Sequence, residues 1–128
     1  MKHLLIFPLS IFLFWVAACS KNQKAGNDTV FPVITLNTPL NGQTFSPGQT
    51  IPVTGTITDN QYIAEVHIHI SNNTTGALLM DVHLYPSSAS TDFSQSINAT
   101  AGVSYKIQVI ARDRNVNETR AVVEVSCN

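Results

Sequence analysis

From residue 30 to the end of the chain, apolar side chains recur at every second position, and Gly, Pro, Asn, Asp and Ser gather between the alternating stretches. Period two marks a strand with one face in a core and one in water, whereas an amphipathic helix repeats at three and four. No stretch of ten residues carries a helical stripe, so the pattern predicts an all-β domain. The first predicted strand, 33–36, lies between Pro32 and Pro39, as an edge strand would. The second, 50–58, sets Ile51, Val53 and Ile57 on one face and Thr54, Thr56 and Thr58 on the other. In 63–70, Val66, Ile68 and Ile70 point inward and Glu65, His67 and His69 outward, and 77–85 carries Leu78, Met80, Val82 and Leu84 on its apolar face. Residues 71–76 between them (SNNTTG) supply turn chemistry, which makes the pair a hairpin. A weaker strand is expected around 93–97, then 105–112 with Tyr105, Ile107, Val109 and Ala111 inward, and 120–126 with Ala121, Val123 and Val125 inward. Seven short strands at this spacing predict a seven-stranded antiparallel β-sandwich.

The first 29 residues break the pattern. Lys2 precedes an apolar run from Leu4 to Val16, and Ala17 and Ala18 follow it, the three-part arrangement of a cleaved secretory signal over 1–18. The run is thirteen residues long and contains Pro8. A membrane-spanning helix needs about 20 apolar residues, so a permanent span is disfavoured. Residues 20–29 (SKNQKAGNDT) hold no large apolar side chain, so 19–29 reads as a flexible tether and 30–128 as the folded domain. Fully extended, those ten residues would reach about 33 Å.

The segment Val16, Ala17, Ala18, Cys19 resembles the lipobox of bacterial lipoproteins, an aliphatic residue and two small ones before a cysteine. Small residues let an extended chain enter the processing peptidase, and only a thiol can take diacylglycerol as a thioether. The resemblance implies that Cys19 becomes the lipidated first residue, with the membrane as its N-terminal partner. Each buried methylene contributes about 0.8 kcal/mol, and two or more acyl chains give stable anchoring. An ordinary signal peptide with a cysteine at that place is the alternative. Ser20 after the cysteine is compatible with sorting to the outer membrane of a Gram-negative bacterium.

Taking 18 residues from 128 leaves 110, the size of one domain with a modest core. Without Lys2 there are six basic and eight acidic side chains, a net charge of −2, and no basic patch that would suit nucleic acid. With Cys19 lipidated, Cys127 is the remaining thiol, so no intrachain disulfide is expected and the core must hold the fold. Cys127 itself reads as a frayed, unpaired terminal residue, or one that pairs with a partner protein.

At the last two strands the likeness becomes specific. Residues 105–113 (YKIQVIARD), then Asn117, Glu118 and Thr119, resemble the closing hairpin of bacterial Ig-like and fibronectin type III-like domains. There the pattern is Tyr, alternating aliphatics, Ala, Asp, then Gly-Asn and Ser or Thr, and here Val116 stands where those families usually have Gly. Residues 39–42 (PLNG) and 53–59 (VTGTITD) likewise resemble the opening strands of such domains. The resemblance covers nearly all of the mature chain and implies an Ig-like sandwich. Tyr105 sits where a tyrosine corner would be, its hydroxyl bonded to upstream backbone. Alternating strand direction then puts the N-terminus at the same pole as loops 59–62, 86–91 and 113–118. Loop 37–49, the hairpin tip 71–76, the turn 99–102 and Cys127 fall at the other pole.

Two groups carry candidate chemistry. If the hairpin pairs so that residue numbers sum to 150, His67 lies opposite His83 and His69 opposite Asp81, three imidazoles and a carboxylate on adjacent strands that suit Zn or another divalent transition metal. The solvated face of a half-buried sheet looks the same. The second group, Asp59, Asn60, Asp113, Asn115, Asn117 and Glu118, gathers oxygen donors of the kind calcium takes, and these are also ordinary turn residues. No nucleophile elbow, phosphate loop or zinc-protease His-Glu pair is present, and the acids are scattered singly, so no enzyme and no cofactor beyond a divalent metal is expected. The expected partners are the membrane and an envelope protein or a glycan, or else the module acts as a spacer.

Overall fold

The computed structural model describes residues 27–128. The expected signal 1–18, Cys19 and the tether as far as residue 26 lie outside the described residues. Seven strands run in chain order: β1 (Val33–Thr38), β2 (Thr44–Phe45), β3 (Thr50–Asn72), β4 (Leu78–Leu84), β5 (Ser88–Asn98), β6 (Ser104–Asp113) and β7 (Glu118–Cys127). The expected number is met by a different partition of the chain. The predicted strands 50–58 and 63–70 are one continuous element, β3, and the seventh strand is β2, inside the expected loop 37–49.

β3 has 23 residues, which at about 3.3 Å each would extend to about 75 Å if straight, far beyond a domain of this size. It therefore has to bend, and it bends at the predicted loop. Asp59 Oδ2 accepts the backbone N–H groups of Gln61 (2.9 Å) and Tyr62 (2.7 Å), a turn made by a side chain inside a strand. Before the corner β3 pairs with β1 and β5, and after it with β6 and β4. Ile63, fully buried, pairs with Ser88 on one side and Asp113 on the other, and the register shifts on both ladders there. The result is two layers that share one strand, β1-β3-β5 against β2-β7-β6-β3-β4, an Ig-like sandwich. Every pairing is antiparallel except the two-residue β2–β7 ladder, which is parallel.

The core lies between the layers and consists of the residues the alternation pointed inward. Ile51, Val53, Ile57, Val66, Ile68, Ile70, Ile107 and Val109 are sealed from solvent, and Phe93 and Val125 nearly so. Each such side chain contributes about 1.5–3 kcal/mol by leaving water. Tyr105 is 1% exposed, and its hydroxyl accepts the N–H of Thr100 at 2.7 Å, the upstream backbone bond of a tyrosine corner. Leu78 departs from expectation, at 59% exposed instead of inward. The β3–β4 register slips between Ile70 and Ser71, which leaves Leu79 as an extra residue on β4 and ends the alternation one residue early.

Cys127 also departs. It is 1% exposed, its N–H donates to Val103 O (2.9 Å), its carbonyl accepts from Gly102 (2.9 Å), and it pairs with Phe45. The chain end is covered because β2 lies along it, and a two-residue strand leaves no periodic signal in the sequence.

Two positions test the packing. Gly55 is buried between Leu36 of β1 and Phe93 of β5. A Cβ there would collide with the Thr35 carbonyl oxygen and come within 2.5 Å of Phe93 Cζ. Gly55→Ala is expected to lower unfolding free energy by about 2–3 kcal/mol in a denaturant titration, because backbone on one side and a buried ring on the other cannot yield. Val116 has φ +68° and is 70% exposed, so this β-branched residue occupies the left-handed region without packing to offset it. Left-handed backbone costs an L-residue about 1–2 kcal/mol, partly balanced by the entropy that glycine loses on folding. Val116→Gly should therefore raise the denaturation midpoint, by about 1 kcal/mol of stability.

Candidate functional site

The outer face of β3 and β4 gathers the histidines. The expected register is the observed one: His67 opposes His83 and His69 opposes Asp81. With alternate residues on one face, two strands suffice to bring all four side chains together. The His67 and His83 rings lie 3.9 Å apart between centroids, tilted by 40°, and His69 is 5.7 Å from His67 and 6.5 Å from His83. One nitrogen of each ring lies within 4.8 Å of the other two. Asp81 stands to one side of the trio, with Oδ1 3.0 Å from His69 Nε2 and 3.1 Å from His83 Nε2.

Glu65 completes the group and was not among the expected site residues. Its Oε1 is 2.5 Å from His67 Nε2 and 3.9 Å from His83 Nδ1. On the other side, Arg112 of β6 donates from Nη1 to Glu65 Oε2 (3.4 Å) and from Nη2 to Glu118 Oε2 (2.7 Å), and Arg120 Nη2 lies 3.5 Å from Glu118 Oε1. Polar side chains thus run unbroken across four strands, from Glu118 on β7 through Arg112, Glu65 and the histidines to Asp81 on β4. The bond to His67 holds the Glu65 carboxyl below the usual carboxylate range, with the nearby Arg112 charge adding to it. Glu118 is lowered chiefly by its bond to Arg112, and the same bond raises the Arg112 guanidinium. Glu65 stands two residues before His67 on the same face, so period two alone puts it beside the cluster. Its link to Arg112 needed the β3–β6 register, which pairs these two residues directly.

The second group of expected donors is divided. Glu118 turns to Arg112, away from the rest. Asp59 and Asp113 come together with Asp28, one carboxylate oxygen of each lying within 4.8 Å of the others. Asp113 is 4% exposed, and its two oxygens accept from Asn117 N (2.8 Å) and Asn117 Nδ2 (2.6 Å). Asn117 Nδ2 also reaches the carbonyls of Asp28 (3.0 Å) and Val30 (3.3 Å), Asn115 Nδ2 that of Asp28 (3.3 Å), and Asn60 Nδ2 donates to Asp28 Oδ1 (3.1 Å). These amides clasp the N-terminal lead onto the pole, so Asp28, inside the expected tether, is bonded to the domain. The N-terminal lead and the 59–62 and 113–118 segments consequently share one pole, and Cys127 lies at the other beside the 99–103 turn. At that far pole Leu79, Ile97, Val103 and Tyr105, rimmed by Asn72 and Thr100, line an open groove of about 560 Å³.

The comparisons with known proteins bear on fold and family. Residues 32–109 match the model of the bacterial Ig domain. Among solved structures, the fibronectin(III)-like modules of Clostridium thermocellum CbhA superpose with a TM-score of 0.52 at 18% identity, over 74% of this chain and 94% of theirs. The superoxide reductase (neelaredoxin) of Ignicoccus hospitalis superposes with a TM-score of 0.55 at 14% identity, over 77% of this chain and 80% of its own. At these identities the likeness is one of fold. No curated protein matches the sequence. With a matching family model over most of the sandwich and two sheets joined through β3, the chain belongs to the bacterial Ig domain family.

Proposed function

We propose that the chain is a lipid-anchored, noncatalytic Ig-like module of a Gram-negative cell envelope, held at the outer membrane through Cys19 and binding another envelope protein or a glycan. The observation that carries this reading is the order of residues 4–19: a thirteen-residue run that is apolar apart from Ser10, two alanines, then a cysteine. A thiol at that point is the group that a diacylglyceryl transfer consumes, and the polar segment after it suits a stand-off linker. The clasp at Asp28 supports a direction for the domain. The chain leaves from the pole of Asp59, Asp113 and Asn117, so that pole faces the bilayer and the groove beside Tyr105 faces outward. An open concavity with an apolar floor and amide and hydroxyl rim is a surface that a peptide or sugar can use.

Cells grown with an alkyne-bearing palmitate should label the wild-type chain and carry it to the membrane fraction. Cys19→Ala should lose the label and accumulate as uncleaved precursor, and equal labelling and fractionation of the two proteins would end the reading. Orientation is tested in isolated envelopes with a bulky maleimide, using Thr74→Cys at the outer pole and Ala89→Cys at the inner one. Cys127 is buried and will not interfere. Thr74→Cys should react at least severalfold faster, and equal or reversed rates would reject this orientation.

A further inference from the structure

The polar chain across the outer face of β7, β6, β3 and β4 has a feature that solvation alone does not require. Each of the three histidines has Nε2 directed at a carboxylate: His67 at Glu65, and His69 and His83 at Asp81. A carboxylate bonded to a ligating imidazole fixes the ring's orientation, and carboxylates stand beside all three rings here, with His83 Nδ1 also 3.9 Å from Glu65 Oε1.

Four further observations converge. The rings are mounted on neighbouring, hydrogen-bonded strands with His67 and His83 directly opposed, so the backbone between them is fixed by the sheet. One nitrogen of each ring already lies within 4.8 Å of the others. Tetrahedral zinc with Zn–N distances near 2.0–2.1 Å sets its ligand nitrogens about 3.4 Å apart, so closure needs side-chain movements of about 1.4 Å or less. Side-chain exposures of 23% for His67, 30% for His69 and 40% for His83 leave the rings free to make that movement and leave one side open to water. Glu65 is itself braced by Arg112, and Glu118 braces Arg112 in turn, so the carboxylate behind His67 is positioned from two strands away.

We propose that His67, His69 and His83 form a binding site for a single divalent transition cation of the zinc type, with water completing the shell and Asp81 and Glu65 acting as positioning residues behind the rings. Neutral imidazoles select borderline cations such as zinc over calcium or magnesium, which take oxygen ligands. Two carboxylates beside the rings offset the ion's charge. The inference does not depend on the lipid anchor or on the identity of a partner, and it stands or falls on metal binding alone.

The test uses the full mature protein in detergent, stripped with chelator and titrated with zinc chloride in a calorimeter at pH 7.5. One saturable site is expected, with zinc raising the thermal midpoint as any ligand of the native state does. His69→Ala and His83→Ala should each weaken binding at least tenfold. Glu65→Gln should weaken it about tenfold while keeping the stoichiometry, the size of effect that removing an outer carboxylate partner has. Absence of saturable heat in the wild type would overturn the proposal, as would histidine variants that bind within twofold of it. Cobalt(II) added to the wild type gives a readout independent of the variants' folding. Intense visible bands of a four-coordinate ion support the site, and the weak spectrum of a six-coordinate aquo ion rejects it.

Discussion

Everything in this sandwich is arranged around one strand that serves two sheets. β3 meets β1 and β5 along its first half and β6 and β4 along its second, and the switch is made within the few residues between Thr58 and Glu65. Ordinarily two sheets are held together by side-chain packing and by loops. Here covalent backbone passes from one layer to the other at one pole of the sandwich, with Asp59 supplying the corner and Ile63 sealing its inner side. The inward face of β3 is accordingly sealed along its length: Ile51, Val53, Ile57, Ile63, Val66, Ile68 and Ile70. Because the pleat fixes each side chain to one face or the other, sealing that row also dictates which residues appear outside. Glu65, His67 and His69 are brought together on the surface as the complement of Val66, Ile68 and Ile70 in the core.

The two faces of the larger sheet therefore have different economies. Inside, shape and area decide, and the conflict at Gly55 marks how little space is left. Outside, the sheet supplies a rigid grid of spacings on which charge and hydrogen bonding are organised, from Glu118 and Arg112 to the three imidazoles. Exposed ion pairs of this kind contribute little to stability one by one. Their effect is positional: Arg112 fixes Glu65, and Glu65 fixes the ring of His67.

Much of this was legible in the sequence because period two is unambiguous when one face is sealed. The inward residues of β3 and β6 and the β3–β4 pairing at His67 and His83 follow from alternation and turn chemistry, and the bond from Tyr105 to upstream backbone from the resemblance to Ig-like domains. What escaped notice lacked a periodic signature. The corner at Asp59 reads as a loop because Asp and Asn are turn formers, and nothing local reveals that the backbone stays extended through it. β2 is two residues long and draws its identity from Ser126 and Cys127, 82 positions away. Leu78 looked inward until the extra residue Leu79 broke the count. Val116 was visible as an oddity, since a glycine usually fills its place in such hairpins, and its φ of +68° shows that the turn keeps its shape and simply carries the strain. In the candidate metal group, the four expected side chains were readable, and the bracing by Arg112 was not, because it arises from a third strand.

The sulfur of Cys127 gives the fold an unexpected kind of insurance. It is the one cysteine among the described residues, and β2 and the 99–103 turn wall it in at the pole opposite the N-terminal lead. Buried there, the thiol is out of reach of exchange with another protein's cysteines in the folded state. Among the described residues the sandwich is therefore held by packing and hydrogen bonds, with no disulfide across it.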